Sequence, residues 1–493
     1  MNQRRRLATE VVSSVQSMQS PSAGGVNGIS YRRVVVLALI FLVILFVVPR
    51  PAAIQPVAWR FLDIFIVTVL GLVLQPIPGG ALVLLGVALT ALIGGRTVQQ
   101  ALSGYSDPTV WLVVTSNFIA RALIKTGLAR RIALSFVKWF GKSPIRLCYS
   151  LSLSDMVLAT VVPANSARSG GIILPIVGSI SELYESFPGP TASLLGSFLT
   201  CAVYQCICVT PAMFMTGQVS NLLAAQMASH VGYQMTWLGW AIAGIVPGSL
   251  SLAIIPLVVM WLNPPQIRST PEAAAFANHH LQSMGRLSRK EKIVTGVFVV
   301  VIVLWATANW NKLDITLTAI LGILALLFTG ALTWEDIKSE KGAWDILVWY
   351  GGLLFFGKAL NELGIPKVFA DWVGSSFGGA GWVVVLSVTL LIYFYAHYAF
   401  PSITTHLLAL YPAFVALLLA KHAPLGLVVF SFACFANLSA GLTHYGTTPA
   451  PMFFEKGYVS LKLWWKIGFV VSTVNLAIWT TIGFWWWRLL RIW

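Results

Sequence analysis

After residue 30 the chain alternates between long apolar runs and short polar turns. Runs of roughly 18 apolar residues can cross a bilayer as helices. The pattern predicts spans at about 34–48, 61–74, 81–94, 109–125, 237–262, 293–309, 315–332, 346–360 and 466–487. The cluster Gln75-Pro76-Ile77-Pro78-Gly79-Gly80 reads as a turn between two of them. Basic residues around Trp139 and the stretch 366–377 read as amphipathic helices lying along the membrane surface.

Four apolar runs are interrupted in their middle. Between 147 and 180 the apolar pattern stops at Pro163, gives way to Ala164–Gly171, and resumes at Ile172. The run 191–215 breaks at Thr216-Gly217-Gln218-Val219-Ser220-Asn221. The run 381–396 leads into the polar stretch His397–His406, and the run from Leu425 breaks at Thr443–Pro451. Irregular backbone at membrane depth survives only where protein or a water-filled cavity surrounds it. Asn165 precedes Ser402 by 237 positions and Thr216 precedes Thr447 by 231, so the two halves carry their breaks in corresponding places. Paired interruptions of this kind point to the binding site of a transporter. Half-helix N-termini offer free N–H groups to an anion, while unwound carbonyls and Asn, Ser or Thr oxygens suit a cation.

The expected organisation is a disordered cytoplasmic tail over 1–32, a first span plus first inverted repeat over 33–262, a cytoplasmic loop over 263–292, and a second inverted repeat over 293–493. Basic residues around Arg4–Arg6, Arg32, Arg33 and 286–292 place the N-terminus and that loop on the cytoplasmic side. Composition agrees with the membrane reading: 57% of residues are hydrophobic and 10% charged, where soluble domains carry about 25% charged residues. The net charge of +16 follows from basic membrane-flanking loops, and nucleic acid is not an expected partner. The five cysteines all lie in apolar segments and read as packing residues. No secretory signal peptide, nucleotide-binding glycine loop, zinc motif or nucleophile elbow is visible, which argues against ATP-driven transport and against an enzyme.

Arg168 sits inside an apolar stretch, where a charge is expensive and its default reading is functional. It can face a substrate anion, pair with Asp155, or snorkel to the interface. His397, His406 and His444 read as polar glue between helices.

These segments resemble the divalent anion:sodium symporter family, and within it the citrate-carrier and 2-oxoglutarate/malate-translocator branch. The resemblance rests on Ala164-Asn165-Ser166 followed by Ala167-Arg168-Ser169-Gly170-Gly171, on Ser402-Ile403-Thr404 after His397-Tyr398, on Tyr445–Pro451, and on Ser103–Leu112. It implies an all-α inverted-repeat membrane transporter, a homodimer, with about eleven transmembrane helices and two re-entrant hairpins. It implies an elevator-type motion, an inner-membrane location, and di- or tricarboxylates of malate, succinate, 2-oxoglutarate, tartrate or citrate type. It places Asn165, Ser166, Arg168, Ser402, Thr404, Thr447 and Thr448 at the substrate. It places Ser166, Thr216, Gly217, Asn221 and Thr447 near cation sites, with Na+ as the coupling ion where one is used. Ala164 stands where the family has Ser, Ser166 where it has Thr, and Ile403 where the sodium-coupled branch has Asn. Those losses of side-chain oxygen point toward anion exchange. A sodium-coupled symporter is the alternative, and an anion channel a more distant one.

Overall fold

A computed structural model describes residues 30–493, so the tail expected over 1–32 lies almost wholly outside the described residues. The described chain is helical throughout, and among its helices seven have the length and apolarity to cross a membrane: Pro56–Leu74, Gly196–Met213, Trp237–Leu262, Trp382–Ala399, Ile403–Ala420, Leu425–Leu442 and Leu461–Leu489. Gly79–Leu92 and Ile315–Phe328 are apolar but shorter. Pro108–Lys125 and Leu128–Phe140 form a pair bent by 63°. The bend turns Leu128–Phe140 onto its amphipathic side. Leu128, Ala133, Leu134 and Val137 are buried, while Trp139 and Phe140 remain exposed.

The order of elements over 56–262 recurs over 289–489. Each series has two helices, a third followed by a shorter helix, a helical hairpin, a broken helix, and a closing helix. Tyr31–Phe46 precedes the first series. Gly196–Met213 and Leu425–Leu442 are the most enclosed spans, 100% and 94% of each being buried. The closing helices of the two series pack against each other beside them.

One reading of the pattern needs correction. The segment 263–292 is not simply a loop: it contains the helix Pro271–Ser283, whose Ala273 and Ala277 are fully buried against Leu128–Phe140. Arg131 Nε fastens that region by donating to Glu291 Oε1 at 2.6 Å. Trp485, Trp486 and Trp487 have different surroundings. Trp485 is exposed, but Trp486 Nε1 donates to Ile242 O at 2.8 Å and Trp487 Nε1 to Ala243 O at 2.9 Å. The reason lies in Pro247, inside the helix Trp237–Leu262. A proline cannot donate to the carbonyl four residues earlier, and Trp487 supplies the missing hydrogen. All five cysteines are buried as free thiols.

Candidate functional site

The first hairpin enters on Pro144–Ala159, whose Ser150, Ser152 and Ser154 hydroxyls bond back to carbonyls four residues earlier. Pro163 then ends the helix, since it lacks an N–H and pushes Val162 out of helical geometry. The return begins at Ser166 as a wide π-helical turn, Ser166–Ile173, before the ordinary helix Leu174–Leu183. Such turns are concentrated at functional sites. Gly170 lies against the flexible end of Met452, whose Cε is 2.4 Å from where a Cβ would stand.

Arg168 holds this tip together. Its side chain has no exposed surface. Nε donates to Asp155 Oδ1 at 2.7 Å, Nη1 to Val162 O at 2.6 Å and Gly217 O at 3.0 Å, and Nη2 to Asn165 Oδ1 at 3.3 Å. Asp155 also accepts a hydrogen bond from Thr210. The guanidinium expected at the substrate is therefore engaged wholly by protein. The pairing with Asp155 is present, and it reaches across to the second break through Gly217. Asn165 is nearly buried, and its amide oxygen also accepts from Ser169 Oγ at 3.2 Å. The Arg168 contact fixes which way the amide faces, and none of the described hydrogen bonds uses its Nδ2 donors. Ser166 is half-buried, and no described hydrogen bond engages its hydroxyl.

The second break is wired differently. Thr216 Oγ1 donates to Thr160 O at 2.5 Å and accepts from Trp237 Nε1 at 2.9 Å. Asn221 Nδ2 donates to Pro211 O at 2.7 Å and Phe214 O at 2.9 Å, while its Oδ1 accepts from Asn437 Nδ2 at 2.7 Å. The oxygens of Thr216, Gly217 and Asn221 expected near a cation thus each already carry one protein donor.

In the second half, Ser402 caps the helix Ile403–Ala420, its Oγ accepting from Thr405 N at 3.5 Å. Thr404 is half-buried, Thr447 is 2% exposed, and Thr448 is exposed at the start of Pro449–Phe454. His397 Nε2 bonds Gly446 O at 2.8 Å, beside Thr447. Each half therefore has a basic residue of its hairpin on the carbonyl of a glycine in its second break. Asn165, Arg168 and Gly217 form one network. Ser402 and Thr404 share no described hydrogen bond with the first-half residues. Contact between the halves runs instead through Asn221–Asn437, through Gln205 Nε2 donating to Gly441 O at 3.0 Å, and through the packing of the first tip on Pro449–Phe454.

Sequence reasoning missed Gln205, Thr210 and Asn437. The signal was present: each is a polar residue inside an apolar run, where an unsatisfied polar group is costly. It also missed Gly468. A Cβ there would lie 2.4 Å from Gly441 O, so the closing helix rests directly on the second break. Gly468→Ala is expected to cost about 1–3 kcal/mol of stability by overpacking. A thermal-melt comparison of detergent-purified variant and wild type checks this.

The first tip borders a cleft of about 150 Å³. Ser166, Ala167, Asn117, Arg121, Glu340 and Ile346 are among the residues that line it. Lys125, one turn beyond Arg121, donates to Asp336 at 2.5 Å. Burial opposes the Asp336 charge, but hydrogen bonds from Lys125 and Thr333 outweigh it and hold the carboxyl down to about 2.

Among the described residues no group of three or more His, Cys, Asp or Glu side chains could hold a metal ion. The family model for the sodium:sulfate symporter transmembrane region matches residues 30–493. YflS of Bacillus subtilis (strain 168), which carries a malate-transporter name, is 41% identical, covering 91% of this chain and 95% of that one. Dicarboxylate transporter 1, chloroplastic, of Spinacia oleracea is 38% identical over 92% of this chain and 80% of its own length. The crystal structure of the Alcanivorax borkumensis YdaH transporter, described as having an unusual topology, shares the fold with a TM-score of 0.56 at 12% identity, covering 80% of this chain and 88% of that one. These relatives are membrane transporters rather than enzymes. With broken hairpins in both halves and a family match over the whole described chain, this protein belongs to the divalent anion:sodium symporter family, as a multi-pass membrane transporter.

Proposed function

We propose that the protein exchanges dicarboxylates across the cell inner membrane, binding one carboxylate at the first hairpin tip. The observation that carries this reading is the Asn165 amide: Arg168 and Ser169 hold its oxygen, which leaves its two N–H donors and the neighbouring Ser166 hydroxyl for an anion. Ser402, Thr404, Thr447 and Thr448 supply the corresponding donors in the second half. The names of the relatives favour malate and other dicarboxylates over sulfate.

Arg168 and His397 support the exchange mode. In a sodium-coupled carrier a cation would organise the loop oxygens and leave with the substrate. Here side-chain N–H groups already occupy Val162 O, Gly217 O and Gly446 O. The loops therefore keep their shape without an ion. Movement of the hairpins together past the surrounding helices, within a homodimer whose N-terminus and 263–292 segment face the cytoplasm, completes the proposal.

Purified protein in liposomes tests it. Uptake of labelled malate should require internal dicarboxylate and be unchanged when sodium is replaced by choline. Sodium should likewise leave the melting temperature unmoved, because an ion that binds the native state would raise it. Uptake driven by a sodium gradient into liposomes lacking internal dicarboxylate would overturn the exchange reading.

A further inference from the structure

The helix Val219–His230 leaves the second break, whose Gly217 is held by Arg168 of the first tip and whose Asn221 is held by Asn437 of the second half. It therefore belongs with the hairpins and the broken helices. About one turn before its end, Gln226 reaches away from that group. Its Nε2 donates to Oδ2 of Asp107, at the start of Pro108–Lys125. A carboxylate can only accept, so chemistry sets which way the amide faces. Among the described residues, this is the one side-chain hydrogen bond or ion pair that joins the helices over 56–125 and 289–362 to the elements over 144–262 and 382–489.

Asp107 is not free to follow Gln226. Its Oδ1 caps Pro108–Lys125 by accepting from Thr109 N at 2.8 Å. The turn before it, Ser103–Ser106, is pressed onto Lys341–Glu362: a Cβ on Gly104 would collide with Gly351 O, and the Tyr105 ring lies against Gly351. After it, Pro108 O accepts from Thr316 Oγ1 at 3.1 Å. Asp107 is thus anchored among the surrounding helices on both sides. Gln226 Oε1 is buried without a partner, so the bond to Asp107 is what holds this side chain across the seam. Its neighbour Met227 meets Gly357 through the flexible end of its side chain. An apolar contact of that kind tolerates sliding, whereas a hydrogen bond to a carboxylate is strong and directional.

We propose that Asp107 and Gln226 form a latch that holds the hairpin group in its present position and opens once in each transport cycle. This rests on the reading that the hairpins move together past the surrounding helices, and it adds the pair that sets how the protein divides its time between its two facing states. Neither residue is among those placed at the substrate. They act as positioning residues. A hydrogen bond to a charged group biases such an equilibrium about tenfold or more without freezing it.

Malate exchange in right-side-out and inside-out membrane vesicles tests this. Each apparent KM varies inversely with the share of carriers facing that side, so the ratio of the two KM values tracks the balance of facing states. Asp107→Ser keeps a good helix-capping side chain that is too short to reach Gln226. Gln226→Leu removes the donor. Each should shift the ratio about tenfold or more in the same direction. The double variant should shift it no further, because the same single contact is lost in all three. Gln226→Lys converts the contact to an ion pair and should shift the ratio the other way. If Asp107→Ser does not insert, the opposite shifts of the two Gln226 variants still decide the matter. An unchanged ratio in Gln226→Leu, a rise of both KM values together, additive shifts in the double variant, or a Gln226→Lys shift in the direction of Gln226→Leu overturns the latch while malate exchange stands. A wild type that carries no malate overturns the parent reading instead, and this inference with it.

Discussion

Asn165→Asp inserts normally, melts at or above the wild-type temperature, and transports no measurable dicarboxylate. That is the expected result, and it follows from the two sides of one amide. The Asn165 oxygen accepts from Arg168 and Ser169, and a carboxylate oxygen in the same place accepts at least as well. The tip therefore keeps its internal hydrogen bonds. The other side changes from two donors to an acceptor carrying negative charge, and a carboxylate substrate meets repulsion where it met hydrogen bonds. Asn165→Ala removes the donors without adding charge. Its transport efficiency should fall about 10- to 150-fold, the range for losing a hydrogen bond to a charged group. Counterflow rates and melting curves on the same preparations separate the two effects. An Asn165→Asp protein that exchanges malate at the wild-type rate would remove the tip from the binding site.

The second large effect belongs to the buried ion pair. Arg168→Gln leaves Asp155 charged and without its main partner in a place with no exposed surface. Removing one member of such a pair costs about 3–5 kcal/mol. Here the loss also frees Val162 O and Gly217 O, so the tip and the second break separate. Asp155→Asn should be nearly as damaging, because it strands the guanidinium. The double variant Asp155→Asn/Arg168→Gln carries no stranded charge and should recover much of the stability. Differential scanning of the three proteins in detergent reads this directly. Equal melting temperatures across wild type and both single variants would show that Arg168 does not organise the tip.

Much of this arrangement was legible in the sequence, for a physical reason. Lipid permits no free backbone polar groups, so a polar stretch such as Ala164–Gly171 within an apolar run already announces a protected break. The breaks after Pro163 and around Ser402 follow that logic, and the helix Trp237–Leu262 matches its apolar run at both ends. What the pattern did not reveal was direction. Arg168 was left open between a substrate, Asp155 and the interface because its four partner residues are spread along the chain: Asp155 before the tip, Val162 and Asn165 at it, and Gly217 in the second break. A guanidinium can turn toward substrate or protein, and the choice depends on acceptors that are brought near only by folding. Thr216 and Asn221 were singled out for oxygens that turn out to be engaged with Trp237 and Asn437. The helix Pro271–Ser283 was obscured by its polar composition, since it covers a surface helix rather than crossing lipid.

The hydrogen bond from Trp487 to Ala243 has a consequence for how the protein is made. Its two partners are 244 residues apart. While the ribosome is still synthesising the second half, the carbonyl left open by Pro247 has no indole to meet it. The first half therefore carries an unmet carbonyl until the helix that bears Trp487 packs beside it. Nascent chains halted short of Trp487 should remain sensitive to the membrane's quality-control proteases, however many earlier helices have already been inserted.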